Sequence, residues 1–180
     1  MGTLTGRKQE RNKKRGKQME KTEIGQKKRT ETLCAPQEGV LVPLPAVPPM
    51  PRTRDVRHGT GFAVKGVNGD IVSPVGGTVT SVAADGTVGI RSDNGVELRL
   101  SVGSGREHLH LYAETGSHVA VGQRLLHADL DGIRRAGERT ECVVLLPDGT
   151  PHGTVETRRA PGGSVRAGSS PVLSVTLSGN

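Results

Sequence analysis

Residues 70 to 105, DIVSPVGGTVTSVAADGTVGIRSDNGVELRLSVGSG, commit the middle of this chain to sheet. Short runs rich in Val, Thr and Ile are cut by turn dipeptides at Asp85-Gly86 and Asn94-Gly95. Such dipeptides tolerate the positive φ that tight hairpins require. The last run alternates: Val96, Leu98, Leu100 and Val102 share one face, and Glu97, Arg99 and Ser101 share the other. Ser101 therefore ends a strand on its polar side, just ahead of the corner Gly103-Ser104-Gly105. That corner is the most site-like place in the chain.

The punctuation recurs elsewhere. Ala35-Pro36-Gln37-Glu38-Gly39 before Val40-Leu41 echoes Ser73-Pro74-Val75-Gly76-Gly77 before Thr78-Val79. Val119-Ala120-Val121-Gly122 is echoed by Val165-Arg166-Ala167-Gly168. Two copies of one unit predict two similar sheets closing on each other. Phe62 and Tyr112 are the only aromatics, so the core must be built from Val, Leu, Ile and Ala. Further strands are expected at Phe62–Lys65, Glu107–Tyr112, Cys142–Leu146 and Val172–Leu177, with a proline-rich surface loop over Pro45–Pro51. The one plausible helical turn runs from Asp129 to Gly137, with Asp129 as N-cap, arginines near the end and a closing glycine. The expected fold class is all-β: a β-sandwich or barrel with one or two short helical turns.

The net charge of +7 is not spread over the chain. Residues 1–31 hold eleven Lys and Arg against four Glu, whereas residues 32–180 hold fourteen of each sign. The leader lacks a periodic apolar face, which predicts a disordered basic tail ahead of one domain at 32–180. Met19 is a candidate later start. No aromatics are interleaved with the basic residues for base stacking, so nucleic acid is not the favoured partner. No run approaches the roughly 20 apolar residues of a membrane span, and no apolar signal segment follows the basic residues, so a cytoplasmic protein is expected. Cys34 and Cys142 make no disulfide framework and are expected to be reduced thiols.

Several motifs in this order resemble the glucose-type enzyme IIA domain of the bacterial sugar phosphotransferase system. They are Ala35-Pro36 with Gly39, Val42-Pro43-Leu44-Pro45-Ala46-Val47-Pro48, Gly59-Thr60-Gly61-Phe62-Ala63-Val64, Ser73–Val79, Gly89–Leu98 and Ala128–Ile133. The resemblance covers about Ala35 to Leu177 and implies a sandwich of duplicated hybrid motifs. It also implies a phosphoryl relay from the histidine-containing phosphocarrier to a sugar permease's IIB domain (IIB/IIC partner), with no cofactor and no metal.

The relay's chemistry is missing from the positions where the resemblance implies it. The family pattern Val-Glu-Leu-x-x-His-x-Gly reads here Val96-Glu97-Leu98-Arg99-Leu100-Ser101-Val102-Gly103, so Ser101 stands at the phosphoacceptor position. A second family histidine lies four residues before the isoleucine of Ile90-Arg91-Ser92-Asp93-Asn94-Gly95, and here that position is Gly86. The family's acidic residue after the acceptor is also replaced, in Gly103-Ser104-Gly105. A serine without a positioned base is a poor nucleophile, and its phosphate ester is too stable to hand on. Two readings follow: a degenerate relay component, or a non-catalytic docking or regulatory protein on the same scaffold.

Rival chemistries are weaker. His108 and His110, on one face of the expected strand, are candidate surrogate acceptors or ligands of a zinc peptidase-like site. A catalytic zinc of that kind wants three protein ligands with an open fourth position, and the partner motif is absent: His58 is followed four residues later by Phe62. A lipoyl- or biotinyl-carrier reading fails because the modifiable lysine must lie between the Ser73-Pro74 and Val119-x-x-Gly122 motifs, and Lys65, the only lysine after Lys28, lies before Ser73. Light trypsin digestion is expected to remove residues 1–31 and leave a stable, near-neutral body. A fall of several degrees in Tm on deleting them would show that they pack against it.

Overall fold

The computed structural model describes residues 28–47, 60–103, 105–148 and 153–177. Its strands, in chain order, are β1 (Arg29–Cys34), β2 (Gly39–Val42), β3 (Thr60–Gly66), β4 (Asp70–Val72), β5 (Gly77–Val82), β6 (Val88–Ser92) and β7 (Glu97–Val102). Then come β8 (Leu109–Leu111), β9 (His118–Val119), β10 (Arg124–Ala128), β11 (Glu141–Leu146), β12 (Thr154–Thr157), β13 (Ser164–Val165) and β14 (Pro171–Leu177). One α-helix, α1 (Leu130–Arg135), and 3₁₀ turns at Leu44–Ala46 and Arg106–His108 complete the described elements. All-β is the correct class.

An eight-stranded antiparallel sheet runs in the order β13-β2-β3-β11-β7-β6-β5-β9. Two three-stranded sheets, β1-β14-β12 and β4-β10-β8, accompany it. The large sheet reads as two matching halves joined at β11 and β7, so the duplicated units share one continuous sheet and do not form the two separate sheets expected from the echo. The halves are cross-tied at the repeated Pro-x-x-Gly openings. The Cys34 N–H donates to the Pro74 carbonyl at 2.9 Å, and the Val72 N–H to the Pro36 carbonyl at 2.8 Å. Gly168 N–H donates to Ala35 O at 2.8 Å, and Gly122 N–H to Ser73 O at 2.9 Å. Gly122 and Gly168 both have positive φ, +82° and +70°. They lie against each other so closely that a Cβ on Gly168 would stand 2.7 Å from the Gly122 Cα.

The core is aliphatic and nearly ring-free. Val96, Leu98, Leu100 and Val102 are 0–1% exposed, Glu97 and Arg99 face solvent, and Ser101 is half-buried. The alternation in the sequence thus sets which side of β7 meets the core. Helix α1 is short because its sequence stops it. Asp129 Oδ1 accepts the Gly132 N–H at 3.0 Å, Arg134 and Arg135 occupy the last turn, and Gly137 follows at φ +77°. That bond holds the Asp129 carboxyl below its ordinary range. Both cysteines are free, and burial pushes the Cys142 thiol far up.

Two expectations need correction. Strand β1 starts at Arg29, inside the segment read as a tail. Arg29, Thr30 and Glu31 pair with Leu177, Thr176 and Val175, and Asn94 Nδ2 donates to Glu31 Oε2 at 2.9 Å. A neighbouring strand orders these residues without any apolar pattern of their own, so a harmless deletion must stop before Arg29. Residues 1–27 lie outside the described residues, as do Ser104, most of the Pro45–Pro51 loop and His58. The expected strand Glu107–Tyr112 is also shorter. Glu107 and His108 belong to the 3₁₀ turn, and only Leu109–Leu111 pair as β8. The chain must cross from the large sheet to a small one between Gly103 and Leu109, and the turn makes that crossing.

Gly168→Ala should be strongly destabilising. Positive φ alone costs a β-carbon about 1–2 kcal/mol, and the Gly122 backbone leaves the new methyl no space. Chemical denaturation is expected to show a loss at or above that figure. Gly162→Ala, whose φ is +88° but which has open space around it, should lose only the conformational part.

Candidate phosphoacceptor site

Ser101 is placed by β7 at the seam between the two halves. The register sets it opposite Val143 of β11, Val143 opposite Ala63 of β3, and Ala63 opposite Val42 of β2. One row across four strands therefore runs from the serine hydroxyl into apolar ground. Val47, Ala63 and Val143 form a second small core there, flanked by half-buried Val42, Leu44 and Leu145. On the other side of Ser101 the same face turns polar. The outer surface of β5, β6 and β7 holds a groove of about 500 Å³, lined by Arg91, Glu97 and Arg99 and by the Thr80 and Ser81 hydroxyls over Gly89. Arg99, which lines the groove, is two residues from Ser101 on the same strand face.

No base attends the serine. Among the described residues no side chain hydrogen-bonds to Ser101 Oγ. Val88 pairs with Leu100, and the continuing register carries Thr87 and Gly86 alongside Ser101 and Val102. Gly86, however, is a working turn residue. Its φ is +87°, its N–H donates to Ala83 O at 3.0 Å, and Thr87 N–H donates to Asp85 Oδ1 at 2.9 Å. The space a side chain would need is already taken, since a Cβ on Gly86 would meet Leu109 Cδ1 at 2.4 Å. Glycine at position 86 therefore serves the turn itself.

The surrogate histidines are not brought together. His108 sits in the 3₁₀ turn against the start of α1. Its Nδ1 would be 2.6 Å from a Cβ on Gly132, and its carbonyl accepts the Asp129 N–H at 2.8 Å. His110 lies on β8, its ring 4.7 Å edge-on to Tyr112. The shared strand face that the alternation predicted does not exist, because the strand starts only at Leu109. Among the described residues no three His, Cys, Asp or Glu side chains are grouped to hold a metal ion.

Two charged residues near the seam escaped the sequence reading. Arg139 precedes β11, and its three guanidinium nitrogens are buried without a hydrogen-bond partner, as is Glu141 Oε2. Burial pulls the Arg139 pKa down, while the nearby Glu141 carboxylate opposes that fall. Glu141 lies one residue beyond the Cys142–Val102 pair, level with Gly103. Two buried, oppositely charged groups thus flank the end of β7 without hydrogen-bonding each other. Periodicity marks polar positions but not buried ones, so no signal in the sequence separated Arg139 from the other exposed-looking arginines.

The comparisons with known proteins agree with the fold and the motifs. The family described as phosphoenolpyruvate-dependent sugar phosphotransferase system, EIIA 1, matches residues 31–150. The chain is 36% identical over 126 residues to a PTS system glucose-specific EIICBA component of Streptococcus pneumoniae, which covers 67% of this chain and 17% of that protein. It is 27% identical over 160 residues to the PTS system glucose-specific EIIA component of Bacillus cereus, covering 86% of this chain and 95% of that one. The chain thus spans under a fifth of the streptococcal relative and nearly all of the Bacillus one. Glucose permease IIA from Mycoplasma capricolum superposes with a TM-score of 0.66 at 18% identity, covering 81% of this chain and 96% of that one, and so shares the fold. Among the described residues no helix is long and apolar enough to cross a membrane. With two-thirds of its length matched by the family and its duplicated sandwich in place, this chain belongs to the glucose-type EIIA family of the phosphoenolpyruvate-dependent sugar phosphotransferase system.

Proposed function

We propose that this protein is an EIIA-type docking component that does not carry phosphate at its family's site. The single observation behind the reading is the pair Ser101 and Gly86. On this reading a hydroxyl with no base stands where the family resemblance puts the acceptor, and the Leu109 side chain lies against Gly86, where it puts the second imidazole. A relay needs an in-line nucleophile and a product that can give the phosphoryl group back. Histidine provides both through a labile P–N bond. Serine without a base is slow to attack, and its ester would hold the group.

Docking needs neither histidine. Recognition by a partner rests on an apolar patch ringed by complementary charge. Ser101 stands between the apolar ground of Val42, Leu44 and Leu145 and the charged groove of Arg91, Glu97 and Arg99. The partners proposed are the histidine-containing phosphocarrier and the IIB domain of a sugar permease, met in the cytoplasm. A protein that binds them without accepting phosphate acts as a competitor or a sensor of the relay.

Incubation with phosphoenolpyruvate, enzyme I and the phosphocarrier, followed by intact mass, is expected to show no phosphoryl adduct. Ser101→Ala should change nothing. Ser101→His should gain an acid-labile adduct, because the strand already aims that side chain at the seam. Gly86→His should add nothing further and should lower Tm, since its φ and Leu109 both oppose it. An acid-labile adduct on the unaltered protein would refute the reading.

A further inference from the structure

The outer face of the three-stranded sheet β4-β10-β8 carries a connected set of polar side chains that the phosphoryl reading does not use. The register puts Asp70 opposite His127 and His127 opposite His110, a row of three across three strands. Directly opposed side chains in an antiparallel pair have Cβ atoms about 4.5–5.5 Å apart. Strict alternation along β10 would not produce this face. Arg124 and His127 are exposed while Leu125 and Leu126 are both buried, and the register shift between Arg124 and Leu126 is what turns both polar residues outward.

The contacts orient the two rings. His127 Nδ1 lies 2.9 Å from Asp70 Oδ1, and Arg124 Nε lies 3.7 Å from the same oxygen. A carboxylate accepts hydrogen bonds, so Nδ1 is the donor in this contact and Nε2 is the ring nitrogen turned away from Asp70. The Arg124 guanidinium stands 5.6 Å from the Tyr112 ring centroid, and Tyr112 packs edge-on to His110. Among the described residues His110 makes no hydrogen bond. Metal-bound histidines ordinarily donate their other ring N–H to a carboxylate that fixes tautomer and orientation. The Asp70–His127 pair has that form already.

We propose that His110 and His127 form a two-imidazole site for a divalent transition ion, Zn²⁺ or Cu²⁺. Asp70 is the outer partner that orients His127, and water fills the remaining positions. Imidazole suits these ions, whereas Ca²⁺ and Mg²⁺ want oxygen ligands. Two protein ligands on an open face give modest affinity and leave coordination positions free for a ligand from another molecule. Arg124 is a cation beside the site, and the Asp70 carboxylate at 3.7 Å partly offsets its charge.

The chain supplies its own reporter. Tyr112 is the only tyrosine and there is no tryptophan, so intrinsic fluorescence reads this face alone. Tag-free full-length protein, freed of metal with a chelator, is titrated with Cu²⁺ by Tyr112 fluorescence and with Zn²⁺ by calorimetry. Saturable Tyr112 quenching and one Zn²⁺ per chain are expected. His110→Ala and His127→Ala should each weaken both by at least about tenfold, and Asp70→Asn by about tenfold. His118→Ala, in an exposed pair with Asp93 at 2.9 Å elsewhere, should change neither. All four side chains are exposed, and unchanged thermal melting of the variants confirms that the fold is not the cause. Absence of saturable binding, or binding that survives the His110→Ala/His127→Ala double variant, would overturn the proposal.

Discussion

Two glycines in contact set the geometry on which the rest of this structure depends. Gly122 and Gly168 lie against each other with no room for a Cβ on Gly168, and each donates its N–H to the opening of a different half, Ser73 and Ala35. The halves then exchange backbone bonds, Cys34 to Pro74 and Val72 to Pro36. Four buried-end hydrogen bonds and one bare backbone contact bring the two units to a fixed distance. Only at that distance do β7 and β11 pair across the seam, and only then do the aliphatic faces of the sheets close into one core. With Phe62 the one aromatic in the core, few large rings are there to bridge a wider gap, and close backbone approach takes their place.

The site is a consequence of that seam. Ser101 occupies the middle of the large sheet, held opposite Val143, with apolar side chains on one side and arginines on the other. Ser101 points away from the core and Gly86 stabilises its own turn, so the fold rests on atoms other than the serine hydroxyl. The hydrogen bonds around Ala83, Asp85 and Thr87, together with Leu109 against Gly86, give position 86 a structural role.

Much of this was legible in the sequence. The β7 alternation placed four residues in the core and Ser101 outside it, the turn glycines fell where positive φ was needed, and the duplicated Pro-x-x-Gly and Val-x-x-Gly signals became the cross-tied halves. The Asp129 cap and closing Gly137 bounded the one helix. Other features needed tertiary information. Arg29–Glu31 carry no apolar pattern and join a sheet only because β14 is there to receive them. Glu107 and His108 alternate like a strand, yet the crossing between sheets bends them into a turn. His127 was hidden because the shift in β10 breaks the period of two, and the burial of Arg139 has no local signature at all.

The central claim is that the family scaffold persists here without its phosphoryl chemistry. ³¹P NMR of the purified protein mixed with excess phosphorylated phosphocarrier tests it most directly, since P–N and P–O linkages resolve as separate signals. The account predicts that the phosphocarrier signal persists with no new phosphohistidine resonance on this chain, and that one appears when residue 101 is changed from serine to histidine. A phosphohistidine resonance on the unaltered protein would contradict it.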